Sequence, residues 1–442
     1  MGAENLPTLR GGDVKQAVQR GRSWFRANPL TVDLLLYLGC FGYALVVAMT
    51  NEFYGFRVWG GFAAAGYGLA FGYSGWLALT ARSGGLRPGW WRSRWPGVAL
   101  AALLAMIVPL VVLVIRRLTG NDWLFTPWSW SAQPEVWVIE RSASLLIEHG
   151  TPYLDVLSLG RPPEVNDYTP YGPVMTVFGL PRALFGGTPL ADALTDARLM
   201  FALTACLCLL AVHRLLGRPA VPIRAVQFAV VFPLTALNWS TQGPDLAMLG
   251  LLLLAVALAA RDRPIAAGLV MALVLSAKLI VAPAAVVVAV LILARCGKRA
   301  AGGFLLTLIT ACTVAHVPVL LADPQAFVEH LIKFPAGMGV VTSPAASPLP
   351  GYLIASIGPA GKVLAFVLLG MAAVAMLGWL YRRPPVTGNE ALLRIAVGLG
   401  AFTLLTPATR YGYLVYPLVL LGAMCCFQQT EATGRTVNSP TG

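Results

Sequence analysis

Three glutamates crowd into SAQPEVWVIERSASLLIEHGTPY, residues 131–153, in a chain where only 12% of residues are charged. Pro134 favours a helix start, and Val138, Ile139, Leu145, Leu146 and Ile147 give that helix an apolar face. The pattern predicts an amphipathic helix lying on a membrane surface. Glu135 falls in its first turn, where the helix dipole favours an anion whether or not the residue does anything else. A carboxylate at a water–lipid boundary is also a group that accepts a proton from an attacking hydroxyl. Glu135 and Glu140 are therefore the candidate bases, with Asp122, Asp155 and Asp167 as further acidic residues of the same region.

Two cations stand in apolar surroundings. Lys278 in LSAKLIVAP falls at the tip of an expected helical hairpin, where it either snorkels to the interface or holds a lipid phosphate. Arg410 in LTPATRYGYLVYP occupies a comparable turn; an arginine there is costly unless paired, and its planar fork suits two phosphate oxygens. Tyr168 and Tyr171 lie in NDYTPYGP, which its prolines keep out of regular helix. That loop either steers the chain or supplies tyrosine faces for a sugar ring. Asp245 reads as a helix cap, His330 and Lys333 as part of an interfacial helix, and His213 and His316 as packed residues. No DxD, HExxH, Walker or GxGxxG arrangement stands in a supporting context, so no metal site and no cofactor is expected.

The elements that must position these residues are membrane spans. Hydrophobic residues make up 57% of the 442 and mean hydropathy is +0.71, which excludes a soluble domain and predicts an all-α polytopic membrane protein. The net charge of +13 is then a matter of loops beside a bilayer and not of nucleic acid. Seven cysteines are scattered through apolar runs, so neither a disulfide framework nor a zinc site is expected. Taking about 20 apolar residues per crossing, about twelve spans are expected, at 30–50, 60–81, 96–116, 197–216, 223–238, 245–260, 264–278, 280–295, 301–322, 361–381, 391–407 and 411–427. Lys15, Arg20, Arg22, Arg26, Arg82, Arg87, Arg92, Arg94, Arg214, Arg218, Arg224, Arg261, Arg263, Arg295, Lys298, Arg299, Arg382 and Arg383 then share one side, provided that the proline-broken 171–187 does not cross. By the positive-inside rule that side is the cytoplasm, with Arg116 and Arg117 as exceptions. The outer face receives 117–196 and 323–360, and long ordered connections usually carry function. The aromatics of NDWLFTPWSW, 121–130, suit a headgroup-level belt.

These segments resemble the polyprenol-phosphate-sugar-dependent glycosyltransferases of the GT-C superfamily, and specifically the mannosyltransferase-like family GT87 (DUF2029). The likeness rests on Glu135 and Val138, then GTPY (150–153), DYTPYGP (167–173), the run from STQGPD to LSAKLIVAP, and TPATRYGYLVYP, in that order over about 96–427. Glutamate stands where the family has aspartate, and Thr169 where proline is common. The resemblance implies a plasma-membrane hexosyltransferase, inverting, with its active site outside the cytoplasm. A sugar, with mannose the expected one, would pass from a polyprenyl phosphate to a lipid-linked or envelope glycan. Glu135 would serve as base, and Arg410 and Lys278 would meet the lipid phosphate. The implied organisation is a cytoplasmic tail (1–29), two additional N-terminal spans (30–95), the transferase module (96–427) and a cytoplasmic C-terminal tail (428–442). A secondary transporter and a lipid-linked-glycan flippase are the competing classes; few ionisable residues at span midpoints speak against the first, and candidates clustered on one side against the second.

Overall fold

Prolines begin the helices. One occupies the first turn of Pro29–Thr50, Pro134–His149, Pro189–Leu194, Pro233–Thr241, Pro244–Ala260, Pro264–Leu275, Pro324–Val328, Pro350–Ala355 and Pro359–Arg382. There its missing N–H has no helical partner to lose. The computed structural model describes Ser23 and residues 27–82, 89–119, 129–341 and 344–437. The N-terminal cations Lys15 to Arg26, together with Arg87, Asp122 and residues 121–128 of the aromatic belt, lie outside the described residues.

In chain order the helices are α1 (Pro29–Thr50), α2 (Tyr54–Arg82), α3 (Trp95–Thr119), α4 (Pro134–His149), α5 (Leu180–Phe185), α6 (Pro189–Leu194) and α7 (Ala197–Leu215). They continue as α8 (Ile223–Ala229), α9 (Pro233–Thr241), α10 (Pro244–Ala260), α11 (Pro264–Leu275), α12 (Ala282–Ala322) and α13 (Pro324–Val328). The last are α14 (Pro350–Ala355), α15 (Pro359–Arg382), α16 (Gly388–Leu405) and α17 (Val415–Val437). Among the described residues there is no strand beyond one isolated bridge, Ala346 to Thr409.

This is an all-α membrane protein, but the span count differs from expectation. Among the described residues, seven helices are long and apolar enough to cross, or eight if the bent pair α9 and α10 forms one span. Part of the difference is α2, which covers the span expected at 60–81 unbroken but is not among the seven, and the rest is breakage. The expected span at 223–238 is divided into α8 and α9, and α9 meets α10 at 115°. The span expected at 264–278 is a helix of 12 residues. The two expected at 280–295 and 301–322 are both present as helices, meeting at a kink at Gly297 with φ 82° within the 41 residues of α12. A straight helix of that length would reach about 60 Å, twice the hydrocarbon thickness. Residues 171–187 form only a short 3-10 turn (Pro173–Phe178) and α5, too short to cross, as their prolines require.

The largest core joins α7, α10, α11, α12, α16 and α17, and a second joins α1, α2, α3, α8 and α9. A π-helical turn, Leu103–Ile107, interrupts α3. Its neighbours answer it: the Trp59 indole donates to the Ala105 carbonyl at 2.8 Å and the Ser240 hydroxyl to that of Met106 at 3.3 Å. At the far end from the loops discussed below, buried Asp33 of α1 accepts from Arg94 at 2.5 Å and from Arg224 at 2.6 Å, tying the two N-terminal helices to the rest.

Candidate functional site

Glu135 opens α4, and the start of α4 is fixed from below: the Gln133 N–H donates to the Thr241 carbonyl, at the break between α9 and α10, at 2.9 Å. Along α4, Gly179 packs so closely that a Cβ would stand 2.5 Å from the Ile139 carbonyl oxygen. Arg410 is fixed from the other side. The Thr409 N–H donates to the Ala345 carbonyl at 3.0 Å, the Ser347 N–H to the Thr409 carbonyl at 2.9 Å, and the Tyr411 N–H to the Ser347 hydroxyl at 3.0 Å. The Arg410 guanidinium then donates through Nη1 to Glu135 Oε1 at 2.7 Å, joining residues 275 apart in sequence. Both side chains keep partial access, 17% for Glu135 and 35% for Arg410.

Beneath that pair lies a second one. Lys278 Nζ donates to Asp245 Oδ1 at 2.5 Å, and both side chains are buried. The Tyr416 hydroxyl donates to the same carboxylate oxygen at 2.7 Å. The ammonium also faces the rings of Tyr171 and Tyr413, at 5.6 and 5.1 Å from their centroids. Tyr171 and Tyr413 stand between the pairs, each within electrostatic reach of Glu135, Asp245 and Arg410.

Local sequence explains the placement. Gly243, with φ 92°, turns the chain out of α9 so that Asp245 lands in the first turn of α10, where the dipole favours it. Gly172 lets the Tyr-Gly-Pro loop lie flat on the connection carrying Lys278: its N–H donates to the Ala277 carbonyl at 2.9 Å, and a Cβ would meet the Ser276 carbonyl oxygen at 2.2 Å.

The structure thus brings Glu135, Arg410, Lys278 and Tyr171 together. It does not bring Glu140 and Tyr168 to them. Glu140, five residues on, points to another face of α4. It accepts from Arg117 at 3.1 Å and from the Ala197 N–H at 3.0 Å, and Arg117 also pairs with Asp196 at 2.7 Å. Burial pushes the Glu140 carboxyl above its ordinary range, with the Arg117 guanidinium opposing the shift. This buried network fixes α4 to α3 and α7, and it explains why Arg117 breaks the charge pattern of the loops. Its neighbour Arg116 lies over the Tyr54 ring at 3.9 Å.

Tyr168 faces the turn that follows the short helix α13. Its hydroxyl donates to Glu329 at 3.1 Å and its ring stacks on Phe334 at 4.2 Å. His330 locks the same loops: Nδ1 accepts from the Thr169 N–H at 2.8 Å, so Nε2 carries the proton and donates to the Leu154 carbonyl at 2.8 Å. Burial pushes the His330 imidazole down to about 4, so it stays neutral. Asp167 is held by Arg161 at 2.7 Å. Among the described residues, no group of three or more His, Cys, Asp or Glu side chains is arranged to hold a metal.

Sequence reasoning missed Asp245 as more than a cap, and passed over Tyr413 and Tyr416. The available signal was their spacing: two tyrosines three apart, one turn after Arg410, share a face of an incipient helix.

Fold and site together define a helical membrane protein with a cluster of paired carboxylates and cations at one end of its bundle. The chain belongs to glycosyltransferase family 87, whose family model matches residues 168–407. The match takes in Asp245 and Lys278, while Glu135 and Arg410 fall outside it. A search of curated proteins returns no match, and a search of solved structures returns none either. Membership of the family makes this a membrane glycosyltransferase.

Proposed function

We propose that the protein transfers a hexose, mannose being the expected one, from a polyprenyl-phosphate donor to a lipid-linked or envelope glycan, on the extracytoplasmic face of the plasma membrane. The single observation that carries this reading is the accessible Glu135–Arg410 pair set over the buried Lys278–Asp245 pair. Glu135 takes the proton of the acceptor hydroxyl as that oxygen attacks the anomeric carbon, and inversion follows from one in-line displacement. The bond to the phosphate oxygen breaks, and its electron pair leaves with the lipid phosphate.

The charges balance across the step. At rest the two ion pairs sum to zero and the donor carries one negative charge. After transfer Glu135 is protonated and neutral, and the departing phosphate monoester carries the extra charge. Arg410, no longer held by a carboxylate, is then available to that phosphate. Proton uptake and leaving-group stabilisation are coupled through one guanidinium.

A lipid donor is supported by an apolar groove between α12, α15 and α16, lined among others by Val286, Val287, Leu369, Met376, Leu399 and Phe402. It begins one turn beyond the connection that carries Lys278, at Pro283, which suits a polyprenyl tail whose headgroup lies at the pair. The outward orientation is supported by Arg224, Arg295 and Arg394, which bind Asp33, Asp262 and the Arg383 carbonyl at the other end of the bundle. The two helices before the transferase module read as an addition to it.

The test is transfer in proteoliposomes from radiolabelled mannosyl polyprenyl phosphate to endogenous glycolipid acceptors. Labelled glycan from the wild type and almost none from Glu135→Gln is the expected result. Direct use of a nucleotide sugar, or ion-driven uptake of free solute without transfer, would overturn the proposal.

A further inference from the structure

We infer that Asp245 is a positioning residue of the transfer site, holding the Lys278 ammonium where the lipid phosphate binds; this rests on the donor reading above. A lysine stem has four freely rotating carbons and, near a membrane surface, extends toward water. Lys278 does the reverse. Its side chain is buried, and what stops Nζ is Asp245 Oδ1 at 2.5 Å, with the Tyr171 and Tyr413 rings on its flanks.

Asp245 is itself immobilised from three directions. Gly243 sets the start of α10, the carboxylate sits in that first helical turn, and Tyr416 of α17 donates into the same oxygen that receives Lys278. One carboxylate oxygen thus fixes α10, the connection before α12, and α17 at a common point. A buried ion pair contributes little to stability compared with apolar side chains of equal volume, so stability alone is a poor account of it. Position is the better one. An ammonium has three N–H donors, and with one given to Asp245 two remain for phosphate oxygens.

The experiment uses the full-length protein in detergent with two probes: polyprenyl phosphate for binding and mannosyl polyprenyl phosphate for steady-state transfer. Asp245→Asn is expected to weaken polyprenyl phosphate binding by about 10- to 100-fold, the worth of one charge-assisted hydrogen bond. It raises KM for the donor more than it lowers kcat, and Asp245→Glu regains part of the loss. Because Asp245 acts through Lys278, adding Asp245→Asn to Lys278→Met changes binding by less than about twofold. That double variant also removes both buried charges, so it reports on the site even where Asp245→Asn alone folds poorly.

Unchanged affinity and KM in Asp245→Asn would overturn the inference. So would an equal loss in the wild-type and Lys278→Met backgrounds, which would make Asp245 independent of the lysine. A wild type that binds polyprenyl phosphate with this dependence yet transfers no sugar supports the positioning role and sinks the transfer reading. A wild type that binds no polyprenyl phosphate overturns both.

Discussion

Replacing Glu135 and Arg410 by glutamine, singly and together, tests the coupling between base and leaving group. The structural cost is small. Their contact is a 2.7 Å ion pair, but Arg410 is about one-third exposed, so solvent screens it and its worth to stability is of the order of 1 kcal/mol or less. Glutamine at either position also keeps a hydrogen-bonding partner for the residue that remains. The catalytic cost is larger. Losing a general base lowers turnover by about 10²- to 10⁴-fold, and losing one preorganised donor to developing negative charge by about 10²- to 10³-fold. Independent effects would multiply in the double variant to roughly 10⁴- to 10⁷-fold. If protonation of Glu135 is what makes Arg410 available to the phosphate, the double variant loses little more than the worse single one. The assay is the initial rate of labelled mannosyl transfer at saturating donor, with thermal unfolding measured on the same preparations. Glu135→Gln within about threefold of wild type would refute the base. A fully multiplicative double variant would refute the coupling while leaving the base in place.

Four further outcomes follow. Glu140→Gln should lower thermal stability and leave kcat of the folded enzyme within a few fold, because Glu140 meets Arg117 and the Ala197 amide and not the Glu135 cluster; a loss of kcat at unchanged stability would reverse that assignment. Arg117→Met, which strands a buried carboxylate, should cost about 3–5 kcal/mol, read as lost folded yield or a lowered unfolding midpoint. Gly172→Ala should impair both folding and transfer, since its Cβ would meet a backbone oxygen at 2.2 Å beside Lys278, whereas Gly160→Ala, with open space around it, should be silent. His330 gives a pH test. Its folded value of about 4 lies below the ordinary 6.5, so the unfolded chain binds more protons between them; stability is complete above about pH 6.5 and falls as pH drops toward 4. His330→Gln should flatten that slope in unfolding midpoints measured from pH 7 to 4.

What the sequence made legible was chemistry confined to one span or one turn. Glu135 follows a proline that starts a helix, and Lys278 and Arg410 interrupt apolar runs, so each is conspicuous where it stands. Their convergence was an expectation from topology alone, resting on the parity of crossings and not on any pattern in the residues. The number of crossings was less legible, because apolar length does not say whether α9 and α10, bent by 115°, cross separately or as one span, or that the run at 264–278 forms a helix of only 12 residues. Roles that depend on partners distant in sequence were hidden. Glu140 and Glu135 look equivalent on one short helix, and only Arg117 and Asp196 from neighbouring helices separate them. Tyr168 and Tyr171 share a loop, yet the proline between them sends one ring to Phe334 and the other to Lys278.

The breaks that confounded the span count are also what build the site. A continuous helix satisfies its own backbone and presents side chains only sideways, whereas a broken one offers a free first turn and a change of direction. Asp245 follows the α9–α10 break, Lys278 the end of α11, Arg410 the end of α16, and Glu135 begins α4 against the first of those breaks. Each charge therefore sits where a helix terminus can receive it, and the two acidic ones sit in first turns, where the dipole favours a carboxylate. Straightening any one junction would carry its charged residue along the helix axis into apolar packing. Variants that relieve a break, such as Gly243→Ala, should accordingly lose transfer through displacement of Asp245 and Lys278, even though every charged residue is retained. Undiminished transfer by a folded Gly243→Ala enzyme would show that the break is incidental to the site.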